Sequence, residues 1–150
     1  MRVFSTFEEV SAAAGEEIGT SEWVPIEQER VDQFADATDD HQWIHVDAER
    51  AAAGPFGGTV AHGYLTLSLL PALGNRIYSF QTPGAKLNYG LNKVRFPHPV
   101  RVGQRIRATA TIKDVAEMPG GLQITTGFVI GIEGESKPAC VAETVALLLS

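Results

Sequence analysis

The feature that most constrains the fold is a strict alternation of apolar and polar residues in the last third of the chain. From residue 105 onward, one face of the predicted strand is apolar and contains Ile106, Ala108, Ala110 and Ile112. A period of two is typical of a half-buried β-strand. The alternation returns over residues 122–132, and a more apolar strand is predicted over residues 139–149. Turn residues at 119–121 and 133–134 separate these segments, so we predict consecutive antiparallel strands.

A second constraint is the segment from about His62 to Ile77, which has the pattern of a helix that is apolar on most sides. Such a helix is surrounded by protein, and Pro71 predicts a bend within it. Elsewhere we predict helices over residues 6–14, 27–38 and 48–53 and strands over residues 21–26 and 88–96. Asp47 is the expected N-cap of the helix over 48–53. The sum is an α+β fold in which an antiparallel sheet wraps around one long central helix.

The size of the chain bounds its organisation. A length of 150 residues fits a single domain, residues 1–150, with a sizeable core. The N-terminal residues lack the apolar run of a signal peptide, and no window approaches about 18 consecutive apolar residues. Cys140 is the single cysteine, and its apolar neighbours predict a buried, inert thiol. We therefore expect a cytoplasmic protein with no membrane partner.

Charge is distributed unevenly along the chain. The net charge of −6 argues against general nucleic-acid binding. Residues 1–60 contain thirteen acidic and three basic side chains. A basic segment follows at residues 86–107, where six basic residues occur without any acidic one: Lys86, Lys93, Arg95, Arg101, Arg105 and Arg107. The segment is either a landing site for a phosphorylated ligand, with Arg95 as a substrate-binding candidate, or a set of solvent-facing strand charges.

The candidate catalytic pair is Asp40 and His45, five residues apart in the non-periodic segment DDHQWIH. A carboxylate and an imidazole that share one water molecule can orient it and take its proton, and the imidazole pKa of about 6.5 suits that task. The alternative is that Asp39 or Asp40 caps the following turn and that His45 is a surface residue. No spacing typical of metal ligands is present, so no metal is expected.

The second half of a site is predicted at the start of the long helix. Ala61-His62-Gly63 opens that helix, and a helix N-terminus presents unpaired N–H groups. A glycine there lets a ligand approach the backbone, as an oxyanion hole requires. The alternative is a glycine at a crowded helix start. Ser68, a polar residue within the helix, either bonds a ligand or a catalytic side chain or bonds back to the Tyr64 carbonyl.

Taken together, these positions resemble the MaoC-like, (R)-specific enoyl-CoA hydratases, including a nodulation-protein-N-like branch. The resemblance covers roughly residues 20–149 and is most specific over residues 34–71. The family pattern is an Asp, a His five later, an Asp two after that, then Ala-His-Gly, and a Ser six after that His. Here those positions are Asp40, His45, Asp47, Ala61-His62-Gly63 and Ser68. Residues 93–106 also match the family's strand–turn–strand.

The resemblance implies the hot-dog fold and the reversible syn hydration of trans-2-enoyl-CoA to (R)-3-hydroxyacyl-CoA. It implies His45 as general base, Asp40 as its partner, and the Gly63 N–H as oxyanion donor. Ser68 would support the catalytic side chains, and His62 and Arg95 would contact the substrate. Coenzyme A enters as part of the substrate, so no separate cofactor is expected. Dimerisation through sheet edges would complete the enclosure of the helix, which predicts a homodimer.

One departure and three alternatives accompany this prediction. The family usually has Asn-Pro between the catalytic residues, whereas this chain has Gln42-Trp43, which affects the expected substrate preference more than the activity. An acyl-CoA thioesterase or a 3-hydroxyacyl-carrier-protein dehydratase would use the same fold. A non-catalytic subunit of a heterodimer is the third alternative, and the retained Asp–His pair argues against it.

Overall fold

The computed structural model describes all 150 residues as eight strands and six helices. The strands are β1 (Arg2–Phe4), β2 (Glu17–Thr20), β3 (Val24–Pro25), β4 (Tyr78–Phe80), β5 (Lys86–Arg95), β6 (Arg105–Met118), β7 (Gly121–Ile132) and β8 (Cys140–Leu149). The helices are α1 (Phe7–Ala12), α2 (Gln28–Thr38), α3 (Trp43–Val46), α4 (Ala48–Ala52), α5 (Gly63–Ser68) and α6 (Leu70–Gly74).

The main sheet is antiparallel and has the order β2-β6-β7-β8-β5, with β3 also paired to β6. The predicted alternation is confirmed, because the four apolar positions of β6 from Ile106 to Ile112 are fully buried. Gly121 begins β7 with φ +157°, and a Cβ there would lie 2.0 Å from the Leu148 carbonyl oxygen. A glycine is therefore required where β7 starts against β8.

The N-terminal half supplies the connecting helices. The predicted helices over 6–14, 27–38 and 48–53 are confirmed as α1, α2 and α4, and Asp47 caps α4 by accepting from the Arg50 N–H at 3.0 Å. The predicted strand over 21–26 is reduced to β3, and the sequence did not predict β1, β2, α3 or β4. β1 and β4 form a separate parallel pair. No helix is long and apolar enough to cross a membrane.

The predicted central helix is broken into α5 and α6 by a bend at Leu69, as the position of Pro71 suggested. The predicted burial on nearly every side is wrong for this chain, because Tyr64 is 70% exposed. One face is buried against the sheet through Leu65, Leu70 and Leu73. The α+β prediction of a sheet packed around a helix is confirmed, with the helix enclosed on one side only.

The far strand, β5, is an edge of the main sheet and is exposed along most of its length. Leu87, Tyr89 and Leu91 are 49%, 69% and 47% exposed.

Cys140 begins β8 and is fully buried. Burial raises the pKa of its thiol to about 11, so the predicted inert character agrees with its surroundings.

Candidate active site

Asp40 lies in the short connection between α2 and α3, and His45 lies on α3. Asp39 ends α2 in the left-handed conformation, with φ 59°. The Asp40 side chain is about half exposed, whereas His45 lies on α3 with 7% of its surface exposed. The alternative of a capping aspartate and a surface histidine is therefore wrong for His45. Its other half is present, because Asp40 Oδ1 accepts from the Gln42 N–H at 3.4 Å and so caps the following turn. The Asp40 carboxylate faces solvent beside a buried imidazole.

The His45 ring is held by the Val60 backbone. Its Nδ1 lies 2.6 Å from the Val60 carbonyl oxygen, and the Val60 N–H donates to the Ile44 carbonyl at 2.9 Å. Because a carbonyl only accepts, Nδ1 carries the proton and Nε2 of the neutral ring keeps a free lone pair. Val60 has no sequence signature, since any residue provides a carbonyl.

The protonation of His45 is biased toward the neutral form. Burial is the largest influence on its pKa and lowers it from the ordinary value of 6.5. The Val60 hydrogen bond and the Asp40 carboxylate raise the pKa, whereas His62 lowers it further. The net direction is downward, so the imidazole is an available base near neutral pH.

His62 joins this pair directly. Its ring stacks on His45 with 3.8 Å between centroids and 22° between planes. Its Nε2 lies 2.9 Å from the Asp40 carbonyl oxygen and 4.0 Å from the Asp40 Oδ2. The Nε2–H therefore donates to the carbonyl, and the buried Nδ1 has no hydrogen-bond partner. The sequence placed His62 only in substrate binding, although its position before Gly63 could have linked it to the pair.

Gly63 is the first residue of α5, directly after His62. Its N–H donates to no protein acceptor. The Phe96 ring lies against it, because a Cβ on Gly63 would be 3.1 Å from the Phe96 Cγ and Cδ2 atoms. The N–H without a protein acceptor fits the predicted donor, whereas the Phe96 contact fits the alternative of a glycine at a crowded helix start. The oxyanion role of Gly63 stays a prediction.

Two predicted site residues are not brought into this cluster. The Ser68 hydroxyl donates to the Tyr64 carbonyl at 2.6 Å, and Ser68 is exposed rather than buried. This is the back-bonding alternative, so Ser68 does not hold Asp40 in this arrangement. Arg95 is exposed and donates from Nη1 to the Val94 carbonyl at 2.7 Å, without a hydrogen bond to the cluster.

The family model described as MaoC like domain matches residues 9–127. The chain belongs to the MaoC-like family. It is 55% identical over 146 residues to the 3-hydroxyacyl-thioester dehydratase Z of Mycobacterium tuberculosis (strain ATCC 25618 / H37Rv), covering 97% of each chain. It is 45% identical to Nodulation protein N of Rhizobium leguminosarum bv. viciae, covering 93% of this chain and 89% of that protein. These relatives confirm the predicted family and support the predicted hydro-lyase activity.

Solved structures place the MaoC-like chain in the hot-dog fold. The monoamine oxidase regulatory protein from Archaeoglobus fulgius aligns over 99% of this chain and 97% of its own, with a TM-score of 0.80 and 23% identity. The (R)-hydratase from A. caviae involved in PHA biosynthesis aligns over 89% of this chain and 96% of its own, with a TM-score of 0.73 and 24% identity. At these identities the likeness concerns the fold alone, and it confirms the predicted fold class.

A cavity of about 410 Å³ lies between the helices of the MaoC-like chain and its sheet. Ser68 lines it together with apolar side chains that include Leu67, Leu70, Tyr78, Ile124, Phe128 and Val145. Lys86 also lines it, and burial lowers the pKa of the Lys86 ammonium. The volume and apolar lining are typical of a site for a small organic group.

Five of the six basic residues of the basic segment fall into two groups, and the sixth, Lys86, lines the cavity. Arg105 pairs with Glu133, which directly follows β7, and the Arg107 guanidinium lies 4.3 Å from the centre of the Trp23 ring. These two fit the alternative of solvent-facing strand charges. Lys93, Arg95 and Arg101 have no carboxylate partner and remain candidates for a phosphorylated ligand.

Asp40, His45 and His62 are also residue types that bind metal ions. One ligand atom from each lies within 4.8 Å of the others. The sequence did not predict this grouping, because His62 lies seventeen positions after His45, which is not a short spacing typical of metal ligands. Each imidazole already donates one N–H to a carbonyl, so each keeps a single nitrogen for any further partner.

Proposed function

We propose that the chain is an (R)-specific enoyl-CoA hydratase of fatty-acid metabolism, which converts trans-2-enoyl-CoA to (R)-3-hydroxyacyl-CoA and back. The observation that carries the proposal is the neutral His45, whose Nε2 keeps a free lone pair, in one cluster with the Asp40 carboxylate and His62, the residue before the free Gly63 N–H. A base, a water-orienting acceptor and an oxyanion donor are the three groups that the reaction requires. The dehydratase name of the relative with 55% identity supports a thioester substrate and the reverse direction.

In the proposed reaction, a water molecule lies between the Asp40 carboxylate and His45 Nε2. The water oxygen bonds to C3 of the enoyl group while its proton passes to Nε2. The electron pair of the C2–C3 double bond moves toward the thioester carbonyl, and the Gly63 N–H binds the oxygen on which negative charge collects. A proton returned to C2 from the same face completes the addition and restores neutral His45. Asp40 and His45 could exchange these roles.

The substrate is proposed to occupy two regions. The acyl chain extends into the apolar cavity beside Leu67 and Phe128. The phosphates of coenzyme A lie on the basic segment, where Lys93, Arg95 and Arg101 have no carboxylate partner. We assign His62 to the orientation of Asp40 and His45 as well as to substrate contact, since its ring touches both. Coenzyme A enters this scheme as part of the thioester substrate, and the scheme uses no separate cofactor.

We also propose that the active form is a homodimer in the cytoplasm. The support is the exposed edge strand β5, whose unpaired backbone groups and apolar side chains suit pairing with a second copy. In a single chain the central helix is enclosed on one side only, and Tyr64 is exposed on the other side. We propose that the second copy also covers Tyr64. Sedimentation equilibrium of the wild type and of Leu91→Lys tests this. A wild-type monomer at micromolar concentration would contradict it.

The proposed function is tested by crotonyl-CoA hydration, followed as the loss of absorbance of the conjugated thioester. Asp40→Asn and His45→Gln should each lower kcat by about 10²–10⁴-fold, the usual contribution of acid–base groups. The matched controls are Asp36→Asn and His41→Gln, because Asp36 and His41 form an exposed carboxylate–imidazole pair, 2.8 Å apart, outside the cluster. Near-normal rates in both active-site variants would rule out the mechanism.

The same assay separates the related activities. A thioesterase would release free thiol from a saturated acyl-CoA, which a thiol reagent detects. A dehydratase that acts on acyl carrier protein would turn over the carrier-bound substrate much faster than the coenzyme A ester. A profile against enoyl-CoAs of increasing length then measures what the apolar cavity accepts.

A further inference from the structure

Trp43 is the first residue of α3 and lies two residues before His45, and its ring is enclosed from two directions. The Arg50 guanidinium of α4 lies 4.3 Å from the ring centre, a cation–π distance. Gly54 contacts the same ring, because a Cβ there would lie 3.0 Å from Cζ3 and 3.1 Å from Cη2. We name Trp43, Arg50 and Gly54 the Trp43 clamp.

The need for glycine at position 54 is spatial. Gly54 is not among the residues with positive φ, so its backbone would accept an alanine without strain. The main obstacle to a side chain is the Trp43 ring. The Ala51 carbonyl oxygen would also lie 3.3 Å from a Cβ at position 54. Gly58, four residues later, also lacks positive φ, and a Cβ there would meet nothing within 4 Å. The two glycines therefore differ in their contact with the ring.

The clamp is continuous with the backbone that carries His45. The His45 N–H donates to the Gln42 carbonyl at 2.9 Å, and the Asp47 N–H donates to the Trp43 carbonyl at 3.0 Å. Asp47 in turn caps α4 through the Arg50 N–H. The ring contact between Trp43 and Arg50 is thus a second link between α3 and α4, besides the backbone hydrogen bonds.

The clamp is also connected along the chain to the second support of His45, the Val60 carbonyl. The chain runs from Gly54 to Val60, whose carbonyl accepts the Nδ1–H of His45. The contact between the ring and Gly54 therefore restrains the start of the segment that leads to the acceptor of His45. Trp43 does not hydrogen-bond to any residue of the cluster through its side chain.

We propose that Trp43 is a positioning residue, which holds His45 against Val60 through the ring's contacts with Arg50 and Gly54. The inference rests on the proposed function for its kinetic consequence, since His45 is there the general base. Displacement of a catalytic group by about 1 Å can lower a rate about 10²-fold, so loosening the clamp is expected to reduce kcat while leaving KM nearly unchanged.

The test compares Gly54→Ala, Trp43→Leu, the double variant and Gly58→Ala as the matched control. We expect roughly tenfold lower kcat in each single clamp variant, with KM within about twofold, and wild-type values for Gly58→Ala. The double variant should match Trp43→Leu alone, because Gly54→Ala has no ring to displace once the indole is gone. Thermal unfolding of each variant shows whether the fold is retained, and Gly54→Ala is the milder change.

A second measurement does not depend on turnover. The pKa of His45, followed by the NMR shifts of its ring, should move up toward its ordinary value in Gly54→Ala, because a displaced ring is less buried. Two titratable residues face His45, namely Asp40 and His62, and both are unchanged in that variant. If the wild type hydrates no enoyl thioester, the proposed function fails, and this titration still tests the clamp.

Three results would overturn the clamp. The first is Gly54→Ala behaving like Gly58→Ala in both kcat and titration. The second is losses from Trp43→Leu and Gly54→Ala that multiply in the double variant, which would mean that the two residues act independently. The third is a change in KM alone, which would make Trp43 a substrate contact.

Discussion

The strands β6–β8 and the segment from Asp40 to His62 hold their residues in place by different means. In β6 and β7, a repeating backbone ladder positions buried side chains, and each neighbour supports the next. In the segment, His45 and His62 are fixed by single carbonyl acceptors at Val60 and Asp40. We therefore expect the sheet to contribute mainly to stability and the segment to set the geometry of the site. Changes in the two regions should separate stability from activity.

The strongest test of this separation is a cavity in the sheet. Ile130 on β7 is fully buried, so Ile130→Ala should lower the free energy of unfolding by about 2–5 kcal/mol. The kcat of the folded fraction should stay near the wild-type value. Denaturant unfolding and crotonyl-CoA hydration measure the two quantities. Val129→Ala is the control, since Val129 is 46% exposed on the same strand, and equal losses in both variants would contradict the burial argument.

The converse test is a change in the segment that leaves the sheet intact. Gly63→Ala places a Cβ against Phe96 and should displace the helix start, lowering kcat by up to about 10²-fold. Gly131→Ala is the matched control, because a Cβ there meets nothing within 4 Å and its φ is not positive. Unchanged kcat in Gly63→Ala would remove Gly63 from the proposed oxyanion site.

A smaller effect is expected in the pH dependence. Because burial lowers the pKa of His45, the acid limb of kcat/KM should have its midpoint below 6.5. The folded protein binds that proton less readily than the unfolded chain, so this residue's contribution to stability is lost as pH falls below about 6.5. Asp40→Asn should move the NMR midpoint of His45 still lower, since Asp40 raises this pKa. An upward shift would mean that Asp40 does not act on His45.

The smallest effect is predicted for Ser68. Its hydroxyl bonds back to Tyr64, so Ser68→Ala should change kcat by less than about threefold and stability by a few tenths of a kcal/mol. Leu67→Ala in the same helix is a useful comparison for the apolar lining of the cavity. A loss of tenfold or more in Ser68→Ala would indicate that the hydroxyl leaves Tyr64 and reaches Asp40 when substrate is bound.

The sequence was informative where a period or a cap exists. The alternation at Ile106–Ile112 predicted β6, and Asp47 predicted the start of α4, because each depends on residues close in the chain. The paired histidines were not predicted as a unit. His45 is held in the stack by the Val60 carbonyl, and Val60 pairs with Arg101 from a distant segment. Both contacts use backbone groups, which every residue has, so the sequence does not reveal them.

Burial of the central helix was overestimated for a similar reason. Tyr64, Leu67 and Leu69 make the helix apolar on most sides, but composition does not say whether a sheet or a second copy covers each side. In one chain, only the side that faces β6 and β8 is enclosed. The departure at Gln42-Trp43 is expected to affect substrate preference, and in the structure its Trp43 ring contacts Arg50 and Gly54.

Cys140 has a practical consequence. It is the chain's single cysteine, it is fully buried, and its pKa of about 11 leaves almost no thiolate at neutral pH. Any cysteine introduced on the surface would therefore be the one reactive sulfur of the native protein. A fluorophore or spin label can then be attached at a chosen position, for instance at exposed Lys137 in the loop between β7 and β8, without first removing a natural thiol.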